Sequence, residues 1–330
     1  MSRTIASIVA VLGLIGGLWV FVDRADGPDG AIGRDASGGT ASASTKLLTP
    51  SRAADSLSST LAQRTRDINV TKSEIARRYE TSTDYRGLYD ELVTSQDAEA
   101  SFFAWKILRQ CMDVSRSGLT AVVRKFEKEA AAGAASLAGQ RVDAFRRMKM
   151  PCAGFEGLRY TLDDLAKLRR KGVSRGDPRA IALTLSAHEL DVTDLVADPI
   201  ATAASLLATN DPFVFVQLQP FLTSDKGGGW SLDGRPIASY DAAVYPLAWA
   251  MIACDYGLDC GPTSELVLVG CALNSFCGPA SFEELVRLGY AGNDAEYQRA
   301  LGLRSRIFEA LRRNDYASFG LSSRKHSPSR

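Results

Sequence analysis

The chain has 330 residues, 45% of them hydrophobic and 23% charged, and its 39 Lys and Arg nearly balance 38 Asp and Glu for a formal net charge of +1. That balance excludes a general polyanion-binding surface, so nucleic acid is not an expected partner. With only His188 and His326 available, most histidine-based catalysis and histidine metal sites are excluded as well, and no metal or cofactor is expected.

The first element in chain order is the uncharged run from Ile5 to Val22, bounded by Arg3 and Asp23. About 18 apolar or small residues is near the minimum for a membrane-spanning helix and exceeds the usual apolar core of a cleavable signal. Residues 1–22 therefore read as a signal anchor with a transmembrane helix. Arg3 precedes the run while Asp23, Arg24, Asp26 and Asp29 follow it, which keeps the short N-terminus cytoplasmic and exports the body. The expected location is the inner membrane, single-pass through residues 5–22, with the body in the periplasm. The alternative is a cleaved signal that releases the body, favoured by Ala25 and by Ala41-Ser42-Ala43. Residues 23–50, rich in Gly, Ala, Ser and Asp, predict a flexible linker.

The remainder predicts an all-α body of stacked helical hairpins, an irregular α-solenoid-like bundle, divided into helical subdomains at 51–172 and 173–321. The last nine residues, 322–330 (SSRKHSPSR), predict a disordered tail. In SFFAWKILRQC, Phe102, Trp105, Leu108 and Cys111 recur at helical spacing and predict one amphipathic face. Leu119–Ala135 and Ser136–Met148 predict two more helices, closed by Pro151. Tyr160–Lys171 places Leu162, Leu165 and Leu168 on one side and is expected to stop at Gly172. Four helix starts share a form built on Asp97, Asp177, Asp211 and Asp294; Asp suits the cap, and Pro178 and Pro212 suit the first helical position.

Six cysteines, Cys111, Cys152, Cys254, Cys260, Cys271 and Cys277, form an even set suited to disulfides in an oxidising compartment. The last four read C-x5-C-x10-C-x5-C, too wide within each pair for zinc knuckles. Ala243–Tyr256 and Ser264–Leu273 predict a helical hairpin in which each helix carries a cysteine near its end and another in the following turn. The matched spacing suggests Cys254 with Cys271 and Cys260 with Cys277, leaving Cys111 with Cys152. Sequential pairing within each C-x5-C is the rival.

Helicity breaks between Thr223 and Asp241, where three glycines, Asp233-Gly234 and Pro236 predict a long loop or small hairpin. Trp230, Asp233, Arg235, Tyr240 and Asp241 are the candidate binding residues of that loop. No nucleophile elbow or phosphate loop occurs. His188-Glu189 lacks a second helical ligand, because Val192 stands where it would be. Asp255, Asp259 and Glu265 do not fit a calcium loop and read as helix caps. Glu156, Glu189 and Glu265 have ordinary surface or capping readings.

The pieces GVSRGDPRAIALTLSA and GYAGNDAEYQRALGLRSRIFEA resemble the helix–turn–helix units of Sel1 and tetratricopeptide-type repeats, which implies stacked helical hairpins. AWAMIACDYGLDCG, followed by Cys271 and Cys277, resembles a pattern of uncharacterised exported α-helical proteins of Gram-negative bacteria over the last third of the chain. That resemblance implies fold and compartment, with no activity. The expected function is a membrane-tethered periplasmic binding or scaffold protein that engages other envelope proteins. The alternative is a periplasmic cell-wall hydrolase using paired carboxylates, with Asp233 and Asp241 as the candidates.

Overall fold

The computed structural model describes residues 72–115, 117–131, 135–186, 196–223 and 231–321. The expected anchor (5–22), linker (23–50) and tail (322–330), together with His188, Glu189, Trp230 and His326, lie outside these residues. No helix among the described residues is long and apolar enough to cross a membrane.

Thirteen α-helices make up most of the described chain. They are α1 (Glu74–Thr81), α2 (Tyr85–Thr94), α3 (Ala100–Val114), α4 (Ser117–Ala131), α5 (Ala135–Lys149), α6 (Leu162–Ser174) and α7 (Pro178–Ser186), then α8 (Pro199–Leu207), α9 (Pro212–Leu222), α10 (Tyr245–Asp255), α11 (Glu265–Asn274), α12 (Phe282–Gly289) and α13 (Asp294–Arg312). Short 3-10 turns cover Met150–Phe155 and Tyr316–Phe319, and a two-residue ladder pairs β1 (Ser231–Leu232) with β2 (Arg235–Pro236). The body is predominantly helical and carries three disulfides.

Local chemistry explains most helix starts. Asp211 accepts from the N–H groups of Phe213 and Val214 ahead of Pro212, Asp177 accepts from Arg179 N–H, and Thr161 with Asp164 forms a reciprocal capping box. Two of the four expected Asp starts differ. Asp97 accepts from Glu99 N–H before the helix begins, and Asn293 occupies the cap of α13, leaving Asp294 as its first residue.

Helices adjacent in sequence pack in pairs, α2 on α3, α4 on α5 and α6 on α7, while α3 also packs on α6, α5 on α11, α7 on α9, and α10 on both α9 and α13. This layout yields two buried clusters. The first gathers α1 to α6 with Leu183, Phe213, Val269 and Ala272; the second gathers Trp249, Tyr245, Phe215, Phe308 and Phe319 from the later helices. Neighbouring residues split across the seam, Ala182 from Leu183 and Phe213 from Val214, so α7 and α9 serve both clusters. Phe213 meets Phe102, Phe103 and Tyr79 edge-on at centroid distances of 6.1, 5.1 and 6.2 Å. Each such pair adds about 0.5–1.5 kcal/mol beyond the burial itself.

The packing corrects several expectations. α3 is not half-exposed: Phe102, Phe103, Ala104, Ile107 and Leu108 are all fully buried, because neighbours cover the helix on nearly every side. Gly172 does not end its helix. α6 continues to Ser174, through the expected subdomain boundary at 172/173, and a Cβ on Gly172 would stand 2.6 Å from that of Ala180; glycine there permits the close approach of α7. The disulfides are Cys111–Cys152, as expected, but Cys254–Cys260 and Cys271–Cys277 in place of the crosswise pairs. The reason is that α10 and α11 part company, α10 packing on α9 and α13 and α11 on α5, so each cysteine finds its partner in its own following turn. Cα separations of 5.7 and 4.3 Å suit those local bridges.

Two arginines organise buried charge. Arg179 pairs with Glu99 at 2.6 Å and Asp211 at 2.7 Å, stands 3.7 Å from Asp177, and lies over the Phe103 ring at 5.2 Å. Arg304 holds both carboxylate oxygens of Asp255, one at 2.7 Å, and reaches Glu283 at 2.7 Å.

Candidate functional site

A cleft of about 600 Å³ runs along the seam between the two clusters, a size typical of ligand sites. The end of α1 and the loop after it bring Tyr79, Glu80 and Ser82; α3 brings Lys106 and Gln110. Arg147, Met148 and Met150 come from the end of α5 and the 3-10 turn, Phe213, Val216 and Gln217 from α9, and Glu265, Leu266 and Leu268 from α11.

One wall is polar and self-paired. Lys106 projects from an otherwise apolar stretch of α3 and is 8% exposed. Its ammonium pairs with Glu265 at 2.8 Å and lies 5.4 Å from the centre of the Tyr79 ring. The Tyr79 hydroxyl donates to Gln110 Oε1 at 3.0 Å, with Glu265 Oε2 a second acceptor at 3.4 Å. Burial, reinforced by the negative charge of Glu265, pushes the Tyr79 phenol well above its usual range, so it remains a neutral donor. Glu80 pairs with Lys72 at 2.5 Å and accepts from Asp259 N–H at 3.1 Å. The other wall is apolar, formed by Met148, Met150, Val216, Leu266 and Leu268.

Two lining groups lack partners among the described residues. Gln217 is 1% exposed, and its Oε1 accepts no hydrogen bond. Arg147 makes no hydrogen bond or ion pair there, although it is exposed at the cleft. A buried acceptor left without a donor costs about 1–3 kcal/mol, which a donor supplied by a ligand would recover. The cleft thus offers a buried acceptor and a mouth cation beside an apolar wall.

The loop residues singled out in the sequence lie elsewhere. Asp233 and Gly234, both at positive φ (55° and 69°), make the two-residue turn of the β1–β2 hairpin. Asp233 pairs with Arg306 at 2.7 Å, Arg235 is exposed on β2, and Tyr240 and Asp241 belong to the turn that leads into α10. None of these four lines the cleft, and each aspartate faces its own arginine, Asp241 standing 3.6 Å from Arg299. Of the other acidic residues considered, Glu156 pairs with Lys149 on the surface, whereas Glu265, expected to be a cap, belongs to the polar wall. No group of three or more His, Cys, Asp or Glu among the described residues is placed to hold a metal. Lys106 and Gln217 were legible in one respect: each interrupts an apolar helical run, FFAWKIL and FVFVQLQ. Comparison of the chain with family models, curated proteins and solved structures gives no match.

Proposed function

We propose that this chain is a binding module of the cell envelope, tethered through residues 5–22 and extended on the 23–50 linker, whose cleft receives a segment of a partner envelope protein. The observation that carries the reading is the unpartnered Oε1 of Gln217, buried in a cleft whose Lys106, Glu265, Tyr79 and Glu80 are paired with one another or with neighbours. An extended peptide supplies backbone N–H donors at intervals, and its side chains suit the apolar wall. Tyr79, Tyr85, Arg147, Met148 and Met150 are residue types enriched where proteins meet, and the methionines adapt their shape to what they contact. Three disulfides, with all six cysteines engaged, suit an exported body. The packed helix pairs support a stack of hairpins as the scaffold.

The test is photo-crosslinking in intact cells from a reactive residue at position 150, where Met150 is 57% exposed at the cleft, with adducts identified by mass spectrometry. One repeatable envelope protein is expected from position 150 and not from position 162, which lies outside the cleft. Absence of an adduct, or the same adducts from both positions, would overturn the proposal.

A further inference from the structure

The near-zero net charge, which speaks against polyanions in general, conceals a segregation of sign along the chain. From Ser117 to Arg175 there are thirteen Lys and Arg against six Asp and Glu, while from Gly176 to Leu321 there are nine against eighteen. The basic stretch builds α4, α5, the first 3-10 turn and α6. It also holds four of the six large apolar side chains exposed among the described residues: Leu137, Met150, Leu158 and Leu162. Met150 opens on the cleft, whereas Leu158 and Leu162 do not line it.

Those two leucines are turned outward by a loop braced from beneath. The Phe155 and Tyr160 rings lie 5.6 Å apart and both meet Tyr89 of α2 edge-on, at 5.4 and 5.9 Å. The Tyr160 hydroxyl accepts from Arg86, and Cys152 is bonded to Cys111. Between these anchors the chain turns at Gly157, at a φ of 78°, and enters α6 through the Thr161–Asp164 capping box. The two rings fill the inner positions, so Leu158 stands 48% exposed and Leu162, at the start of α6, 62% exposed. A single exposed leucine is ordinary; two held out on one braced loop make an apolar face that a partner can cover.

Charge distinguishes the partner. Glu156 is paired with Lys149 and Asp163 with Lys167, each at 2.8 Å, so both exposed acids of the loop are already neutralised. Arg159, exposed between the two leucines, makes no hydrogen bond or ion pair among the described residues. A free cation between apolar side chains, backed by a basic stretch, matches an anionic bilayer: the leucines enter the acyl boundary while the guanidinium meets phosphate head groups. The 49 residues between Val22 and Lys72 are ample chain for this face to turn toward the membrane.

We infer that Leu158, Arg159 and Leu162 form a docking face for an anionic phospholipid surface, with the acidic half of the body turned away from it. The inference rests on the tethered reading only for bringing a membrane within reach, and not on what the cleft binds.

The test uses the full-length protein carrying Leu158→Cys, or Tyr240→Cys as the comparison site, each labelled with bimane. Each is reconstituted in vesicles of phosphatidylcholine alone or mixed with phosphatidylglycerol, all containing nitroxide-labelled lipid. Quenching at position 158 is expected to be about threefold or more stronger with phosphatidylglycerol than without it, and position 240 to stay unquenched in both. Adding Arg159→Ser and Leu162→Asn, both at exposed side chains, is expected to remove that difference with the circular dichroism spectrum retained. Equal quenching at positions 158 and 240, or quenching at 158 that ignores phosphatidylglycerol, would overturn the inference. So would energy transfer between labelled copies in place of quenching, which would assign the face to a second copy of the chain. Flotation of the native protein with phosphatidylcholine vesicles reads residues 5–22 separately. A chain that fails to float loses its tether, while quenching at position 158 by added phosphatidylglycerol vesicles still decides the loop.

Discussion

The two buried arginine centres, Arg179 at the seam and Arg304 in the second cluster, solve the same problem with different arithmetic. Arg304 meets two carboxylates and engages both oxygens of Asp255. Burial lifts the Asp255 carboxyl, and Arg304 opposes that lift through hydrogen bonds and charge. Arg179 faces three acids, Glu99, Asp177 and Asp211, and spends its short contacts on Glu99 and Asp211. Asp177, with none of its surface exposed, is left 3.7 Å away, and its Oδ2 has no partner among the described residues. Burial pushes its carboxyl up to about 7, with Arg179 pulling the other way and Asp211 and Glu99 adding to the rise. One cation can neutralise a limited number of buried anions, and a surplus acid keeps its proton instead.

The largest expected effect breaks the closed centre. Arg304→Met leaves Asp255 and Glu283 without their cation and should cost about 3–5 kcal/mol in urea denaturation. Adding Asp255→Leu and Glu283→Gln to that variant should recover most of the loss; no recovery would show that the charges are not what Arg304 is there for. Next in size is the cross-linking of the two regions. Cys111–Cys152 spans 41 residues and Cys254–Cys260 only 6. Loop entropy puts their removal by paired Cys→Ser changes at about 4 and about 2 kcal/mol, and equal losses would contradict that account.

The third prediction sharpens the contrast in protonation. In the folded chain Asp177 holds its proton to about pH 7, whereas unfolded it releases it near pH 3.8. Between those values the folded state binds the extra proton, so this contribution to stability is whole at low pH, declines as pH rises through the window, and levels off above it. Asp177→Asn keeps a good cap and should flatten that decline, gaining about 1–3 kcal/mol relative to the native chain at pH 8. A native stability that does not fall between pH 5 and 8 would remove the basis for the comparison. The smallest effect is at the exposed pair of Asp233 and Arg306, where Asp233→Asn, which keeps a residue tolerant of the positive φ of that turn, should change stability by less than about 1 kcal/mol.

What could be read beforehand was local, and what could not was a matter of partners. Leu165 and Leu168 recur at helical spacing and are buried, whereas Leu162 on the same face is 62% exposed because it is the first residue of α6, and Asp211 caps the helix it precedes; periodicity and capping depend on residues a few positions apart. Gly172 was misread since a helix terminator and a point of close helical approach use the same residue, and only the position of Ala180 separates them. Matched cysteine spacing was compatible with two pairings, and the choice depended on α11 leaving α10 to pack on α5, a long-range event without a local signature. The cleft was hidden for the same reason. Lys106 and Glu265 are 159 residues apart, and neither residue announces the other. The hairpin loop was visible as a break in helicity, and two of the residues noted there, Tyr240 and Asp241, lie beside Arg299 of α13.

The Cys111–Cys152 bridge also makes a closed ring of the chain between its ends, with the whole of α4 and α5 inside it. A protease that cuts anywhere between those cysteines would produce no separate fragments: the two pieces would migrate as one chain until reduced, and the cut body could keep both of its halves in register.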